Sequence, residues 1–289
     1  MYEPYFGFRE RPFALTPDPD YMFLAHHHRA ALTMLEYGLT QQAPLMVITG
    51  EVGCGKTTLI RFLLTRLDSR ITVGLITNVG RSFDHLLQWV CAAFGLEYRG
   101  LDDAALHDVF NQFLIREYAA DRPVLLIVDE AQNLPARLLE DLRVLTNINA
   151  DKHVVLQVVL VGQPELRATI KDPSFSQLAQ RISVDYHVGP LSLPETRWYI
   201  RHRLRVARGE VSLFRRAAIE MVYDESRGVP RIINQLCDAA LVYAYSERSP
   251  RVGGALLQEV VRDKGGERIS PSQRSREAAG ALQGAGQRT

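Results

Sequence analysis

Residues 48–64 read "ITGEVGCGKTTLIRFLL", with Gly50, Gly53, Gly55, Lys56, Thr57 and Thr58 set between two apolar runs. Upstream, Leu45 to Thr49 (LMVIT) is short, apolar and β-branched, as a buried strand should be. From Lys56 to Leu67 the pattern is that of a helix starting. Between them the glycines let successive N–H groups turn into one hollow, which the positive end of the helix dipole also faces. The spacing G-x-x-x-x-G-K-T is the P-loop pattern. It gives Gly50, Glu51, Val52, Gly53, Cys54, Gly55, Lys56, Thr57 and Thr58 to nucleotide phosphates, so ATP and Mg²⁺ are the expected cofactors. Lys56 would reach the β- and γ-phosphates, and the Thr57 hydroxyl would ligate the metal. A glycine-rich turn that binds nothing is the bland alternative, and the complete pattern in a strand–loop–helix context weighs against it. Inside the loop, dipole and lysine charge favour a Cys54 thiolate, so a reactive thiol shielded by ATP is expected.

Working outward, five strand candidates recur at 45–49, 71–77, 124–129, 154–161 and 183–188. Most are continuous apolar runs, as in a parallel sheet covered on both faces. Helical patterns separate them. Ser82 can cap a helix with Phe83, Leu86, Leu87, Val90 and Phe94 on one face, ended by Gly95. Others run from about Asp102 to Ala120 and from Pro135 to about Ile148. Alternating strands and helices predict a doubly wound α/β domain. From about Leu193 the strands stop, and amphipathic helices follow at about 194–208, 212–224, 230–245 and 254–263. That predicts an α/β domain over 1–190, a helical subdomain over 191–263 and, from its Gly, Ser, Arg and Gln content, a disordered tail over 264–289.

The third strand candidate, VLLIVDEAQ, ends on Asp129 and Glu130. Behind a P-loop, a strand-end aspartate holds Mg²⁺ opposite Thr57, and the next carboxylate is placed to orient and deprotonate the attacking water. An Asp-Glu pair after a strand can equally be a helix N-cap. The loop upstream favours the catalytic role.

The rest of the chain sets limits. With 46% hydrophobic and 23% charged residues, the composition is that of an ordinary globular protein, and a net charge of +1 advertises neither nucleic acid nor membrane. Three scattered cysteines suit a reducing cytoplasm. The opening MYEPYFGFRERPF has no basic head and apolar core, and no run reaches the roughly 18 apolar residues of a membrane span. A cytoplasmic location is expected.

The P-loop, the DEAQ acidic pair and the all-helical C-terminal part resemble an AAA+ ATPase: a parallel five-stranded sheet flanked by helices, followed by a helical lid. Within that superfamily "YFGFRERPFALTPDPDYMFLAHHHRAALTMLEYGL", "LLIVDEAQNL", "LVGQPEL" and "LAQRI" resemble the general secretion pathway protein A (ExeA-like) family. The opening residues and "LEYGLTQ…VITGEVGCGKTT" are most similar to its branch at exosortase and exopolysaccharide loci. The resemblance covers roughly residues 1–263. It implies that Gln163 is the polar sensor near the γ-phosphate, that Arg181 is a finger inserted into a neighbour's site, and that Arg231 is a second sensor. It also implies that His28 lies near the adenine. An ATP-promoted homo-oligomer, ring or helix, would follow, with a protein partner in a membrane-associated secretion or polysaccharide system.

Two patterns invite other readings. His26, His27 and His28 are consecutive, and on a helix such side chains diverge by about 100°, so they cannot converge on one metal ion. Arg197, Arg201, Arg205 and Arg208 form a stripe on one helix, with Arg203 beside it and Arg215 and Arg216 soon after. A solvated face that covers apolar surface with arginine stems is the plainer reading. DNA contact, as in a transposition-type regulator, and a subunit interface are the alternatives.

Overall fold

The computed structural model describes residues 1–77, 85–150 and 153–265. These divide into two compact units, one of Leu15–Glu195 with Val229–Arg231 and one of Met1–Ala14, Thr196–Gly228 and the chain from Ile232.

The first unit is built on a parallel sheet of β1 (Leu45–Gly50), β2 (Thr72–Ile76), β3 (Val124–Val128), β4 (Leu156–Gly162) and β5 (Ile182–Val188), in the order β2-β3-β4-β1-β5. Strand side chains alternate, and here both faces are apolar. Leu45, Val47, Leu126, Val128, Val158 and Leu160 enter one core, with α3 (Leu86–Ala93), α4 (Asp103–Ala119) and α5 (Ala136–Leu145). Met46, Ile48, Leu125, Ile127, Val159 and Val161 enter the other, against α1 (His26–Thr40) and α2 (Lys56–Leu64). Each such side chain stabilises the fold by about 1.5–3 kcal/mol when fully buried. The helix α6 (Pro164–Ile170) leaves β4 directly.

Register is what positions chemistry. Leu160 pairs with Val47 on one side and Val128 on the other, so β1, β4 and β3 end together. Their C-terminal ends deliver Gly50, Gln163 and Asp129 to one edge of the sheet. Gln157 is a buried polar residue inside β4, and its amide lies 3.3 Å from the carbonyls of Gly38, Leu39 and Ala43, closing the C-terminal end of α1.

Several boundaries differ from the sequence expectation for local reasons. The run at 154–161 is split: His153–Val154 pairs antiparallel with Asn149–Ala150, and the sheet strand begins at Leu156. The helix expected from 212 begins at Arg216 (α8, Arg216–Ser226). Leu213 and Arg215 instead spend backbone groups on Val252, which donates to Leu213 O at 2.9 Å and accepts from Arg215 N at 2.9 Å. Ser82 and Phe83, the proposed start of α3, and the tail beyond 265 lie outside the described residues.

The second unit holds α8, α10 (Gly254–Gly265) and most of α7 (Leu193–Val206) and α9 (Pro230–Ser246). It also takes residues 1–14, which the sequence reading grouped with the α/β domain. Arg203 explains the grouping. Its guanidinium is buried and donates to Pro12 O at 2.6 Å, to Ala14 O at 3.0 Å and to the Tyr199 hydroxyl at 3.0 Å. Phe13, 1% exposed, packs edge-on to Phe214. Among the described residues, no helix is long and apolar enough to cross a membrane.

Candidate active site

Beyond β1 the chain turns through Gly53 (φ 83°) and Gly55 (φ 90°), left-handed conformations that a side chain would strain. A Cβ on Gly53 would also lie 2.5 Å from Arg231 Cβ, because Gly53 O accepts from Arg231 N at 3.1 Å. Gly55 then caps α2, and its carbonyl takes the first helical bond from Leu59. The Lys56 ammonium spans the loop, donating to Gly50 O at 2.7 Å and Glu51 O at 3.0 Å. Burial pushes it below the ordinary lysine range, while the charges of Asp129 and Glu130 partly restore it.

Across the sheet edge, Thr57 Oγ1 donates to Asp129 Oδ2 at 2.7 Å. Asp129 is buried, with its other oxygen accepting from Glu130 N at 2.9 Å and its own N–H held by Ile76 O at 2.8 Å. A hydroxyl and a carboxylate so placed are the hard oxygen ligands that could hold a divalent cation. Glu130 sits at φ 55°, left-handed without being glycine, at the start of the 3₁₀ turn Ala131–Asn133. Its Oε2 accepts from Gln132 Nε2 at 2.7 Å and faces Gln163 Nε2 at 3.4 Å. Gln163, the N-cap of α6, thus lies beside the acidic pair. Gln132 was not singled out in the sequence; the only signal was an amide two residues after the glutamate.

His28 reaches the loop from α1. Its Nε2 donates to Cys54 O at 2.8 Å, and burial lowers its pKa, so the ring is neutral and Nδ1 is a buried acceptor without a partner among the described residues. His27 turns instead to the Tyr186 hydroxyl (3.2 Å), and the His26 N–H is taken by Glu195 at 2.8 Å. Of the remaining loop residues, Glu51 and Val52 are exposed and Thr58 is half-buried.

The expectation for Cys54 is corrected. The thiol is fully buried, and burial pushes its pKa up by more than the Lys56 charge lowers it. Arg181 is not brought to the cluster: its Nη1 donates to Thr146 O at 3.3 Å. Arg231 lies beside Gly53 through its backbone, with its side chain exposed.

The AAA domain family matches residues 39–170, which hold the P-loop, the acidic pair and Gln163. General secretion pathway protein A of Aeromonas hydrophila is 39% identical over 253 residues, 87% of this chain and 46% of that protein, so the chain spans less than half of that relative. An ORC2 protein of Aeropyrum pernix, solved as ADPNP–ADP complexes, superposes with a TM-score of 0.66 at 19% identity, covering 88% of this chain and 72% of that one. A Walker-type ATPase of Pyrococcus abyssi gives 0.64 at 18% identity over 93% and 81% of the two chains. At these identities the likeness to solved structures is one of fold.

Proposed function

The chain is an AAA+ ATPase whose sequence resembles general secretion pathway protein A, and from that premise we propose that it is a Mg²⁺-dependent ATP hydrolase coupling turnover to its own assembly and to remodelling of a protein partner. The observation that carries the chemistry is the 2.7 Å contact of Thr57, in the first turn of α2, with Asp129 just beyond β3. These residues would hold the cation, Thr57 directly and Asp129 through water. When bound, Mg²⁺ neutralises charge on the β- and γ-phosphates. Lys56 adds a second positive charge from the loop, beside the N–H groups at the start of α2. Glu130 orients a water and takes its proton, Gln163 contacts the γ-phosphate, Arg231 senses it from beside Gly53, and His28 lies on the adenine side.

Arg181 belongs to a different site in this reading. Its guanidinium rests on the Thr146 carbonyl, and the proposal gives it to the γ-phosphate of a neighbouring copy in a ring or helix. Such a finger contributes on the order of 10³-fold or more to the rate. Mixing Arg181→Ala with Lys56→Ala protein should therefore recover activity at mixed interfaces, where an intact finger meets an intact loop. Specific activity that stays flat across a wide protein concentration range, with only monomer present, would contradict the assembly. The resemblance favours secretion or envelope and exopolysaccharide assembly as the setting, with the ATPase on the cytoplasmic side and reaching the inner membrane through partners.

One observation favours a second reading, an ATP-dependent DNA-binding regulator. Among the described residues, the side chains of Arg197, Arg201 and Arg205 on α7 pair with no carboxylate, nor does that of Arg208, which lies beyond the end of that helix at φ 61°, and Arg201 stacks 5.4 Å from the ring of the exposed Trp198. A phosphate backbone would meet such a face with a steep salt dependence. Filter binding at about 50 mM salt with a non-hydrolysable ATP analogue decides the matter. No retention is the result expected for the secretion reading. Retention abolished by changing Arg201 and Arg205 together to Glu, with basal ATPase intact, would establish the DNA regulator.

A further inference from the structure

We infer that Gln132 is a positioning residue for hydrolysis: its side-chain amide fixes one oxygen of Glu130 so that the other is presented to the attacking water. The inference rests on Glu130 being the base.

The orientation of the Gln132 amide is set by its partners. Its Oε1 accepts from the backbone N–H of Gln163 at 2.9 Å, and a backbone N–H can only donate. The NH₂ end therefore faces Glu130, where Nε2 lies 2.7 Å from Oε2. Gln163 Nε2 approaches the same oxygen at 3.4 Å. Both amides thus converge on Oε2, and Oε1 has no protein partner among the described residues. Gly162 leaves room for this bridge, since a Cβ there would lie 3.0 Å from Gln132 Oε1 and 2.7 Å from Leu166 Cδ2. The bridge ties the turn after β3 to the start of α6, so the position of Glu130 is read off the β4 end and not from its own left-handed backbone alone.

An amide suits this duty because it donates without ionising. It cannot compete for the water's proton, and it cannot carry the charge that would disturb a neighbouring carboxylate. In the reaction, the water oxygen bonds to the γ-phosphorus as its proton passes to Glu130 Oε1. The bond from that phosphorus to the β–γ bridging oxygen breaks, ADP and phosphate leave, and Oε1 returns the proton to solvent. With Oε2 pinned, only Oε1 is free to accept, and the carboxylate does not rotate between two equivalent placements.

The test compares wild type with Gln132→Met, Gln132→Glu, Glu130→Gln and the Gln132→Met/Glu130→Gln double variant, measuring fluorescent-ATP affinity and kcat. Gln132→Met keeps the side-chain length and removes both hydrogen bonds. It should lower kcat roughly 10- to 100-fold, the range of one bond to a charged group, with nucleotide affinity unchanged. Gln132→Glu keeps the acceptor for Gln163 N–H and removes only the donor to Glu130, so it should lower kcat as Gln132→Met does, with nucleotide affinity unchanged. A residue that served only to hold the Gln163 backbone would be rescued by Gln132→Glu. In the Glu130→Gln background, Gln132→Met should cost nothing further, because its effect passes through Glu130. Wild-type kcat in Gln132→Met, a fall confined to nucleotide affinity, wild-type kcat in Gln132→Glu, or a full additional loss in the double variant each overturns the inference. Wild-type turnover in Glu130→Gln overturns instead the base assignment beneath it.

Discussion

Cys54 and Lys56 stand two residues apart in one loop, and burial moves both toward their neutral forms. For the lysine, the carbonyls of Gly50 and Glu51 accept from the ammonium, and the charges of Glu130 and Asp129 partly offset burial. For the thiol, burial outweighs the Lys56 charge. Charge counting within the motif assigns Cys54 the wrong sign because the cost of desolvating a thiolate depends on packing, which the motif does not encode. Cys91 and Cys237 are buried as well. Iodoacetamide near neutral pH should therefore label the folded protein slowly and leave ATPase activity largely intact, with rapid labelling only in urea. Fast loss of activity that bound ATP prevents, and that Cys54→Ala abolishes, would contradict this. Lys56, Thr57, Asp129 and Glu130 were legible because their spacing within two short motifs is tied to one chemistry. Gln132 and Arg203 were not, since their partners come from the β4 end and from residues 12–14, distant in sequence.

At the scale of elements, the sheet strands were legible from apolar runs buried on both faces, to within two residues at each end. The joints between elements were less so. One of them ties the end of α4 to the start of β2. The Arg122 guanidinium donates to both Glu117 oxygens at 2.6 and 2.8 Å, the Thr72 hydroxyl adds a third bond, and together they hold the Glu117 carboxyl at about 2. A depressed carboxyl stabilises the fold fully above its unfolded value of 4.5, and the contribution fades as pH falls toward about 2. Arg122→Ala should therefore unfold at lower urea concentration than wild type at pH 7, with the gap narrowing steadily below about pH 4.5. A gap that is the same at pH 7 and pH 3 would show that the Arg122 charge does not act through Glu117. Arg122 is half exposed on its side-chain surface, so solvent screens the pair and the gap should be modest.

For the whole molecule, the sheet order brings the ends of β1, β3 and β4 to one edge, and the residues just beyond those ends carry the groups that meet there. Composition and periodicity separated a sheet-forming part from a helical part, but not the allegiance of residues 1–14, which rests on tertiary contacts such as those of Arg203 with Pro12 and Ala14, of Phe13 with Phe214 and of Arg11 with Asp238. The central claim is that one constellation divides two duties, with Lys56 holding the phosphates and Glu130 activating the water. Equilibrium binding of a fluorescent ATP analogue, measured beside phosphate release on the same samples, tests that division most directly. Lys56→Ala should lose binding and hydrolysis together, whereas Glu130→Gln should bind nucleotide as wild type does and release almost no phosphate. A Glu130→Gln protein that hydrolyses ATP at the wild-type rate, or a Lys56→Ala protein that binds it as tightly, would contradict the account.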